Sequence, residues 1–526
     1  MSTGVIVQLV RNDSGGRRRA ARWTVAGVLL ASSATACGGG TGGGAASADV
    51  LRVATQQKPV QLDSCGPSNG SELAYHNVLY APLIKADDKT GKLGPGLAES
   101  WSYSDDELGF SLRLRPDLEF QDGTAMDAAA VAKSLTQCKE MGNQVPEQVT
   151  GITAEGDRTV LVKLSEPYAA LPDLFSGRLG MIASPTAREE KGERFASQPV
   201  GAGPYKLTGY KPEISAELTR WDGYTQAGTP AAKVKKIEWR ILSDNSAMAS
   251  EILAGNVDYA WGFSTTLIEQ LKDQSGITLD GDDISAGWTS INLNRSKPPL
   301  DDVRVRQAIS HAIDRKAMAE AVSGGAWDTP TWGPYPSGSP FHDGSVENAQ
   351  PYDLAKAKEL LRQAGHGDGL TIKAVALNTF PYADNAVVLK EQLKKAGIDL
   401  QVKTAPTAEA TKDYYPGTDN LMLISAMGGT SPMYVYPKFY GRESSANVGR
   451  VETATTPLVQ KLLTTHGEEQ QKKVMKEINA VAADDVPFIG LYFIPEELAW
   501  RDDVTGGRDS RSIQGNVNLA YLGLNR

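Results

Sequence analysis

The sequence contains few of the residues that build metal centres or disulfide frameworks. Among its 526 residues there are only three cysteines and five histidines. The histidines are widely separated, and none has a second ligand at metal-ligand spacing. They are His76, His311, His342, His366 and His466. We therefore predict no metal site and no cofactor.

The chain also lacks an excess of basic charge, with a formal net charge of −9 at pH 7. A negatively charged chain is not attracted to a phosphate backbone or to an anionic lipid surface, so we predict no nucleic-acid partner. After residue 48 no apolar run approaches the roughly 20 residues that cross a bilayer. We therefore expect the protein to be held to a membrane only by its amino-terminal end.

The amino-terminal segment has the layout of an export signal. Arginines at positions 17, 18, 19 and 22 precede an apolar run over residues 23–36 that is too short to span a bilayer. The run ends in Ala34-Thr35-Ala36-Cys37, which resembles a bacterial lipobox. We predict a signal peptide over residues 1–36, with general or twin-arginine export left open, lipidation of Cys37 and a flexible tether over residues 37–48. We therefore expect an exported protein of the cell envelope, anchored by lipid to the outer face of the cytoplasmic membrane.

Two cysteines remain once Cys37 is assigned to lipid. Cys65 and Cys138 would lie outside the cytoplasm, where disulfides persist. We predict a possible disulfide between them, and two buried thiols are the alternative.

Residues 291–318 combine a strand, a turn marked by Pro298-Pro299 and an amphipathic helix. Asp301 and Asp302 stand where the N-terminal cap and first-turn carboxylates of the helix are expected. The predicted apolar face contains Val305, Ala308, Ile309, Ala312 and Ile313. We predict that the other face is solvated and carries ion pairs made by Arg304, Arg306, Asp314 and Arg315.

This stretch closely resembles the signature of the family-5 extracellular solute-binding proteins, the peptide and nickel receptors of ABC importers. A second family-like unit consists of Tyr352-Asp353, residues 355–358 and Ala364-Gly365. Within it Asp353 is predicted to cap a helix, and Gly365 to end it. Other family-like pieces lie at residues 78–80, 95–101, 120–124, 199–207, 253–258 and 487–492.

The alternating sequence runs and the family resemblance both indicate the fold class. Alternating runs predict strands at residues 51–54, 110–114, 160–164 and 237–241, with helical patterns between several of them. The resemblance implies an α/β, two-lobed periplasmic-binding-protein-like fold of type II, with an extra subdomain and a hinge. It implies a first lobe at 49–287 with an insertion at about 73–198, a second lobe at 288–485 and a return at 486–526. The hinge crossings are expected near 285–291 and 485–489.

Aromatic residues in loops and at the expected hinge are candidates for ligand contact. We predict that Trp261, Trp288, Asn378, Phe380 and Tyr382 bind ligand, because loops after strands at a domain interface hold ligands in α/β proteins. For Trp261 and Trp288 a place in the core is the alternative, and for Trp239 we predict a place in the core.

Residues 426–434 depart from the peptide-binding pattern, which often has a tryptophan followed by an aspartate that pairs with the α-amino group of the ligand. Here Met427 stands in the tryptophan region and Thr430 or Ser431 near the acid, and Tyr434 follows as a further ligand-binding candidate. A hydroxyl cannot neutralise a buried ammonium. We therefore expect solutes without a free amine, such as modified peptides, opine-like conjugates or glycans, unless Asp63, Asp258 or Asp384 supplies the charge.

The resemblance implies the substrate-binding subunit of an ABC importer, a monomer that captures an oligopeptide-like solute and delivers it to a permease and its ATPase subunits. We predict no enzymatic activity. The alternatives are an exported hydrolase, a nickel-chelate or haem receptor, and a surface receptor that senses peptides without transport.

Overall fold

The computed structural model describes residues 49–526 except residues 57, 69, 143–144, 225–229, 282–284, 326, 328–330, 379, 418–420, 428–430, 445, 496 and 514. The predicted signal peptide, Cys37 and the tether lie outside the described residues, and so does Thr430. Among the described helices, none is long and apolar enough to cross a bilayer.

The strands follow the predicted alternating runs and add several that the runs did not mark. They are β1 (Val50–Thr55), β2 (Ile84–Ala86), β3 (Leu93–Pro95), β4 (Ala98–Tyr103), β5 (Gly109–Leu114), β6 (Val149–Glu155), β7 (Thr159–Leu164), β8 (Tyr205–Lys211), β9 (Ser215–Arg220), β10 (Lys236–Ile241), β11 (Tyr259–Trp261), β12 (Ile277–Asp280), β13 (Ser285–Leu293), β14 (Leu370–Leu377), β15 (Ile398–Ala405), β16 (Leu421–Met427), β17 (Phe488–Pro495), β18 (Leu498–Arg501), β19 (Val504–Thr505) and β20 (Gly523–Leu524).

The helices alternate with the strands along most of the chain. They are α1 (Leu73–Leu79), α2 (Ala128–Glu140), α3 (Leu171–Ser176), α4 (Pro185–Lys191), α5 (Asn245–Leu253), α6 (Thr265–Leu271), α7 (Val303–His311), α8 (Arg315–Ser323), α9 (Leu354–Gln363), α10 (Tyr382–Lys395), α11 (Thr407–Tyr414), α12 (Pro432–Tyr440), α13 (Thr456–Leu463) and α14 (Glu468–Asp485). Short 3₁₀ turns occur at Arg178–Gly180, Gly192–Ala196, Gly344–Val346, Arg508–Ser510 and Leu519–Tyr521.

Three sheets organise the described chain. The first sheet has seven strands in the order β12-β18-β11-β1-β10-β9-β8, and the second has five in the order β15-β14-β16-β13-β17. The third has four strands, β4-β5-β7-β6, and lies within the segment predicted as an insertion. The disulfide between Cys65 and Cys138 links the segment after β1 to α2, with 5.2 Å between the two Cα atoms.

The chain passes from the first sheet to the second between β12, which ends at Asp280, and β13, which begins at Ser285, and it returns between β17, which ends at Pro495, and β18, which begins at Leu498. The first passage is close to the predicted one. The prediction of a second crossing near residues 485–489, with a return to the first lobe from 486, is wrong. β17 pairs with β13 through Pro495, because its continuous apolar run needs cover on both faces and its side chains enter two hydrophobic clusters of the second region.

The helix predicted after Pro298-Pro299 is divided into two. Asp302 caps α7 by accepting a hydrogen bond from the Arg304 backbone, as predicted, and the five predicted apolar residues are all buried. The helix stops at His311, however, and Asp314 caps α8 by accepting from the Ala317 backbone. Asp314 is therefore a helix cap and does not lie on a solvated helix face.

Of the arginines predicted on the solvated face, only Arg304 is exposed, where it pairs with Asp302. The prediction is wrong for Arg306, which is buried and donates to the backbone carbonyls of Leu300, Asp301, Asp485 and Val486 and to the Asp485 carboxylate. It is also wrong for Arg315, which donates to the carbonyls of Gly490 and Gln350 and whose pKa burial lowers to about 10. Helical periodicity could not show that backbone carbonyls of other segments require these donors.

Helix α9 begins and ends as predicted. Asp353 caps α9 by accepting from the Lys356 backbone, and Gly365 follows the helix with a φ of +85°. β14 pairs in parallel with β15 and β16, with α10 between β14 and β15. This is the helix, strand, helix, strand order of a doubly wound unit.

Replacing Arg306 by alanine tests whether its ion pair and backbone hydrogen bonds stabilise the end of α14. We expect Arg306→Ala to lower the free energy of unfolding by about 3 kcal/mol, since removing one partner of a buried ion pair leaves the other partner and several carbonyls unsatisfied. Arg304→Ala, on the same helix, is the matched control and is expected to change it by less than about 1 kcal/mol. Urea unfolding of both variants is the measurement. Equal losses of unfolding free energy in the two variants would contradict this role of Arg306.

Candidate functional site

The predicted insertion meets the second sheet region at a cluster of aromatic side chains, called here the aromatic cluster. Its large buried members are Trp288, Trp332, Tyr335, Met433, Tyr436, Phe439, Tyr440, Phe488 and Phe493. Ala169 and Ala170, which precede α3, belong to the same cluster. The Ala169 backbone amide also donates to the carbonyl of Leu463 at 2.6 Å. The cluster therefore joins segments that are far apart in the chain.

Trp288 lies at the centre of these contacts. It is 3% exposed, and its ring meets Phe439 and Phe488 edge-on, with 4.7 Å between centroids in each case. The indole Nε1 of Trp288 has no hydrogen-bond partner among the described residues, and neither has Nε1 of Trp332 or the hydroxyl of Tyr335. A buried donor without a partner costs about 1–3 kcal/mol. The hydroxyls of Tyr436 and Tyr440, in the same cluster, likewise lack a partner among the described residues, so five such donors lie together there.

Asp173, in the first turn of α3, brings a carboxyl group to the edge of the aromatic cluster. The Ser431 hydroxyl donates to Oδ1 of Asp173 at 2.6 Å. The same hydroxyl accepts from the Met433 backbone and thereby caps α12. Burial raises the pKa of Asp173 to about 6, and the Ser431 hydrogen bond opposes that rise. Ser431 thus fixes the start of α12 and the position of the carboxyl group together.

The electrostatic surroundings of Asp173 are tyrosines. Burial, and then the Asp173 carboxylate, raise the pKa of Tyr168 to about 12. Burial, the neighbouring Tyr436 and Asp173 raise the pKa of Tyr335 well above its ordinary value. No ion pair joins Asp173 to a cation within the described part of the chain. No positive charge of the described residues therefore pairs with the Asp173 carboxylate.

The two tryptophans predicted to bind ligand, Trp261 and Trp288, lie in different hydrophobic clusters. Trp261, on β11, is 5% exposed and belongs to the core of the first sheet, where its ring lies 4.9 Å from Trp239 and 5.8 Å from Tyr259. Trp239 is in that core as predicted. The structure thus places Trp261 in a different cluster from Trp288.

Asn378, Phe380 and Tyr382 lie between β14 and α10. Phe380 is 42% exposed, with its ring 5.8 Å from Trp327, and Asn378 is also exposed. Tyr382 begins α10, and burial raises its pKa to about 12. Trp327 in turn contacts Tyr492 of β17 at 5.7 Å. Phe380, Trp327 and Tyr492 thus form a second aromatic group.

The remaining candidates lie around α12. Met427 ends β16 with its backbone paired to Trp288, while its side chain and the whole of Thr430 lie outside the described residues. Tyr434 is 47% exposed, and Lys438 contacts both its hydroxyl and its ring. Tyr434 follows Ser431 by three residues on α12.

Two of the acids considered as replacements for the missing aspartate are already paired. Asp63 binds Arg188 with a 2.7 Å contact, and Asp258 binds Arg52 and Arg526 at 2.6 and 2.9 Å. Asp384 is exposed in the first turn of α10. Sequence reasoning missed Asp173, because its surroundings are set by α12, more than 250 residues further along the chain.

Glu497, just before β18, lies against Gly281, which follows β12. A Cβ atom at Gly281 would collide with the Glu497 carboxylate. Burial raises the pKa of Glu497 to about 7, although Arg511 opposes this, and Asp280 adds to the rise. A titratable carboxyl group thus lies where the chain passes between the two sheets.

Comparison with known proteins identifies the family. The profile described as bacterial extracellular solute-binding proteins, family 5 Middle, matches residues 92–447, which is more than half of the chain. The chain belongs to this family.

This family-5 chain is also similar in sequence to individual proteins. Glutathione-binding protein GsiB of Escherichia coli (strain K12) is 30% identical over 326 residues, which cover 60% of this chain. The chain spans 62% of the length of that relative.

Solved structures show the fold. The periplasmic binding protein AgaA from A. tumefacien R10, in complex with agropinic acid, has a TM-score of 0.79 at 20% identity, covering 91% of this chain and 99% of AgaA. DppA from Helicobacter pylori, in complex with the peptide STSA, has a TM-score of 0.76 at 20% identity, covering 91% of this chain and 98% of DppA. The predicted periplasmic-binding-protein fold is confirmed.

The pKa of Glu497 predicts a pH-dependent stability. Because the folded state holds this proton more tightly than the unfolded state, the contribution of Glu497 to stability falls as pH rises from about 4.5 to about 7. Glu497→Gln removes the ionisation, so the variant should gain about 1 kcal/mol relative to wild type between pH 5 and pH 8, after allowance for solvent screening. Urea unfolding at both pH values is the measurement. The exposed Glu147→Gln is the control, and a gain independent of pH would contradict the assignment.

Proposed function

We propose that this chain is the extracytoplasmic solute-binding subunit of an ABC importer, which captures an oligopeptide-like solute and presents it to a membrane permease. Family membership supports the receptor role. The observation that carries the binding proposal is the aromatic cluster, where buried donors of Trp288, Trp332 and Tyr335 have no partner among the described residues. Clefts that bind organic solutes combine apolar walls with a few polar groups of this kind.

The two crossings support closure by a hinge. The chain passes between the first and second sheets after β12 and after β17, and Gly281 and Glu497, which lie at these two crossings, are in contact. Rotation about two adjacent strands changes few contacts while it moves whole sheets. In this proposal the solute stabilises the closed state, and the ATPase of the importer supplies the energy for transport.

Anchoring belongs to the same proposal. Residues 1–36 would direct export, and a lipid on Cys37 would hold the folded body at the outer face of the cytoplasmic membrane. Fatty-acid labelling of the wild-type protein and of Cys37→Ser tests this, since only the former should carry label.

An exported hydrolase is the alternative from another class. Residues 66–70 place Ser68 between two glycines with the spacing of a hydrolase nucleophile. Its hydroxyl, however, donates to the Glu72 carboxylate at 2.7 Å, and Glu72 also binds the backbone amides of Val60 and Gly70. This arrangement supports a loop-holding role for Ser68.

Native mass spectrometry of the protein purified without denaturation tests the proposed function. We expect a co-purifying organic solute that dissociates on unfolding and is returned unchanged after incubation. Conversion of added peptides or glycosides by the purified protein would instead support the hydrolase. Loss of a peptide response with uptake intact, in a strain that lacks the gene, would support a sensor without transport.

Trp288→Phe tests the aromatic cluster as a binding site. Phenylalanine keeps much of the ring packing but removes the unpartnered indole N–H, so we expect about tenfold weaker binding of the co-purified solute with little loss of stability. Trp239→Phe, in the core of the first sheet, is the matched control and should leave affinity unchanged. Isothermal titration calorimetry gives both affinities, and equal affinity of wild type and Trp288→Phe would contradict this role.

A further inference from the structure

Asp173 is a partly buried carboxyl group that forms no ion pair with a cation of the described residues. One of its oxygens accepts a single side-chain hydrogen bond, from Ser431. Two other buried acids are paired with arginine, Asp63 with Arg188 and Asp258 with Arg52. Asp173 therefore differs from these acids, which hold structural ion pairs.

The groups around Asp173 suit a positive charge. Tyr168 and Tyr335 are close enough for the carboxylate to raise their pKa values, and both belong to or pack against the aromatic cluster. A cation held by a carboxylate and by tyrosine rings gains both ion-pair and cation–π energy in surroundings of low dielectric. A neutral solute would leave the carboxylate uncompensated.

The position of Asp173 fits a binding role. It projects from α3, in the predicted insertion, toward the start of α12, beside the second sheet. A solute bound between these segments would contact Asp173 from one side and α12 from the other. Ser431 also holds the first turn of α12, so it acts here as a positioning residue.

We propose that Asp173 is the specificity-determining carboxylate of this receptor and that it recognises a cationic group of the solute, an ammonium or a guanidinium. This inference rests on the proposed function and deepens it by naming the solute class. It reverses the expectation of an amine-free solute, which followed from the hydroxyl residues at positions 430 and 431.

A panel of synthetic tri- to pentapeptides without arginine, each with free amines and in a fully N-acetylated form, tests the proposal. Wild-type protein is titrated with both forms by calorimetry, alongside Asp173→Asn. Asparagine retains an acceptor for Ser431 and removes only the charge. We expect wild type to prefer the free-amine peptides, and Asp173→Asn to bind them at least about tenfold more weakly, with unchanged affinity for the acetylated forms.

Ser431→Ala separates recognition from packing. It removes the hydrogen bond and the helix cap but keeps the carboxylate, so we expect a lower Tm and a retained preference for free amines. If Asp173→Asn and Ser431→Ala lose affinity for both forms in proportion to their loss of Tm, Asp173 is only a structural contact and the proposal is overturned.

The remaining outcomes distinguish this proposal from the proposed function. If wild type binds peptides but Asp173→Asn keeps the same preference, Asp173 is not the recognising group while the receptor role stands. If wild type binds only acetylated peptides, recognition of a cation is overturned and the receptor role again stands. If wild type binds neither form, the result contradicts both the inference about Asp173 and the oligopeptide-like solute of the proposed function.

Discussion

The pairing of β13 with β17 is the constraint on which the rest of the structure depends. These two strands carry the chain out of and back toward the first sheet, and their register runs from Ser285 opposite Pro495 to Asn292 opposite Phe488. The pairing holds both crossings side by side. It also presents Trp288 on β13 and Phe488 and Phe493 on β17 to the same cluster. Backbone hydrogen bonds that are obligatory for a sheet thereby position the two crossings and the candidate site together.

Buried charge reinforces this arrangement. Arg306 and Arg295 both contact the Asp485 carboxylate at the end of α14, immediately before β17, and Arg315 donates to the Gly490 carbonyl within it. A helix end exposes carbonyls that need donors, and arginine supplies several from one side chain. In this region the backbone carbonyls accept hydrogen bonds from the arginines. In the aromatic cluster, by contrast, polar groups of Trp288, Trp332 and Tyr335 have no partner among the described residues. Departures from full satisfaction of polar groups are expected where function requires them.

Sequence reasoning succeeded where local rules decide the outcome. Asp302 and Asp353 cap their helices, Gly365 follows α9 in the left-handed conformation, and the alternating run at 237–241 forms a strand. Each depends on a few neighbouring residues and on steric or dipolar preferences that the chain carries with it. The reasoning failed for Arg306, for Arg315 and for the second crossing. In each case the partner is a backbone group or a sheet edge supplied by a distant segment.

The sequence by itself determined the family, the mixed α/β class and the boundaries of many elements, because hydrophobic periodicity and capping are local properties. Tertiary structure alone decided which aromatic residues share a cluster. Trp261 and Trp288 were equivalent in the sequence, yet one packs in the first sheet and the other joins the aromatic cluster. The same holds for Asp173, an ordinary first-turn acid of a short helix until α12 places Ser431 within 2.6 Å of it. The charge environment of a side chain depends on everything that packs around it, and that packing is fixed only when distant segments meet.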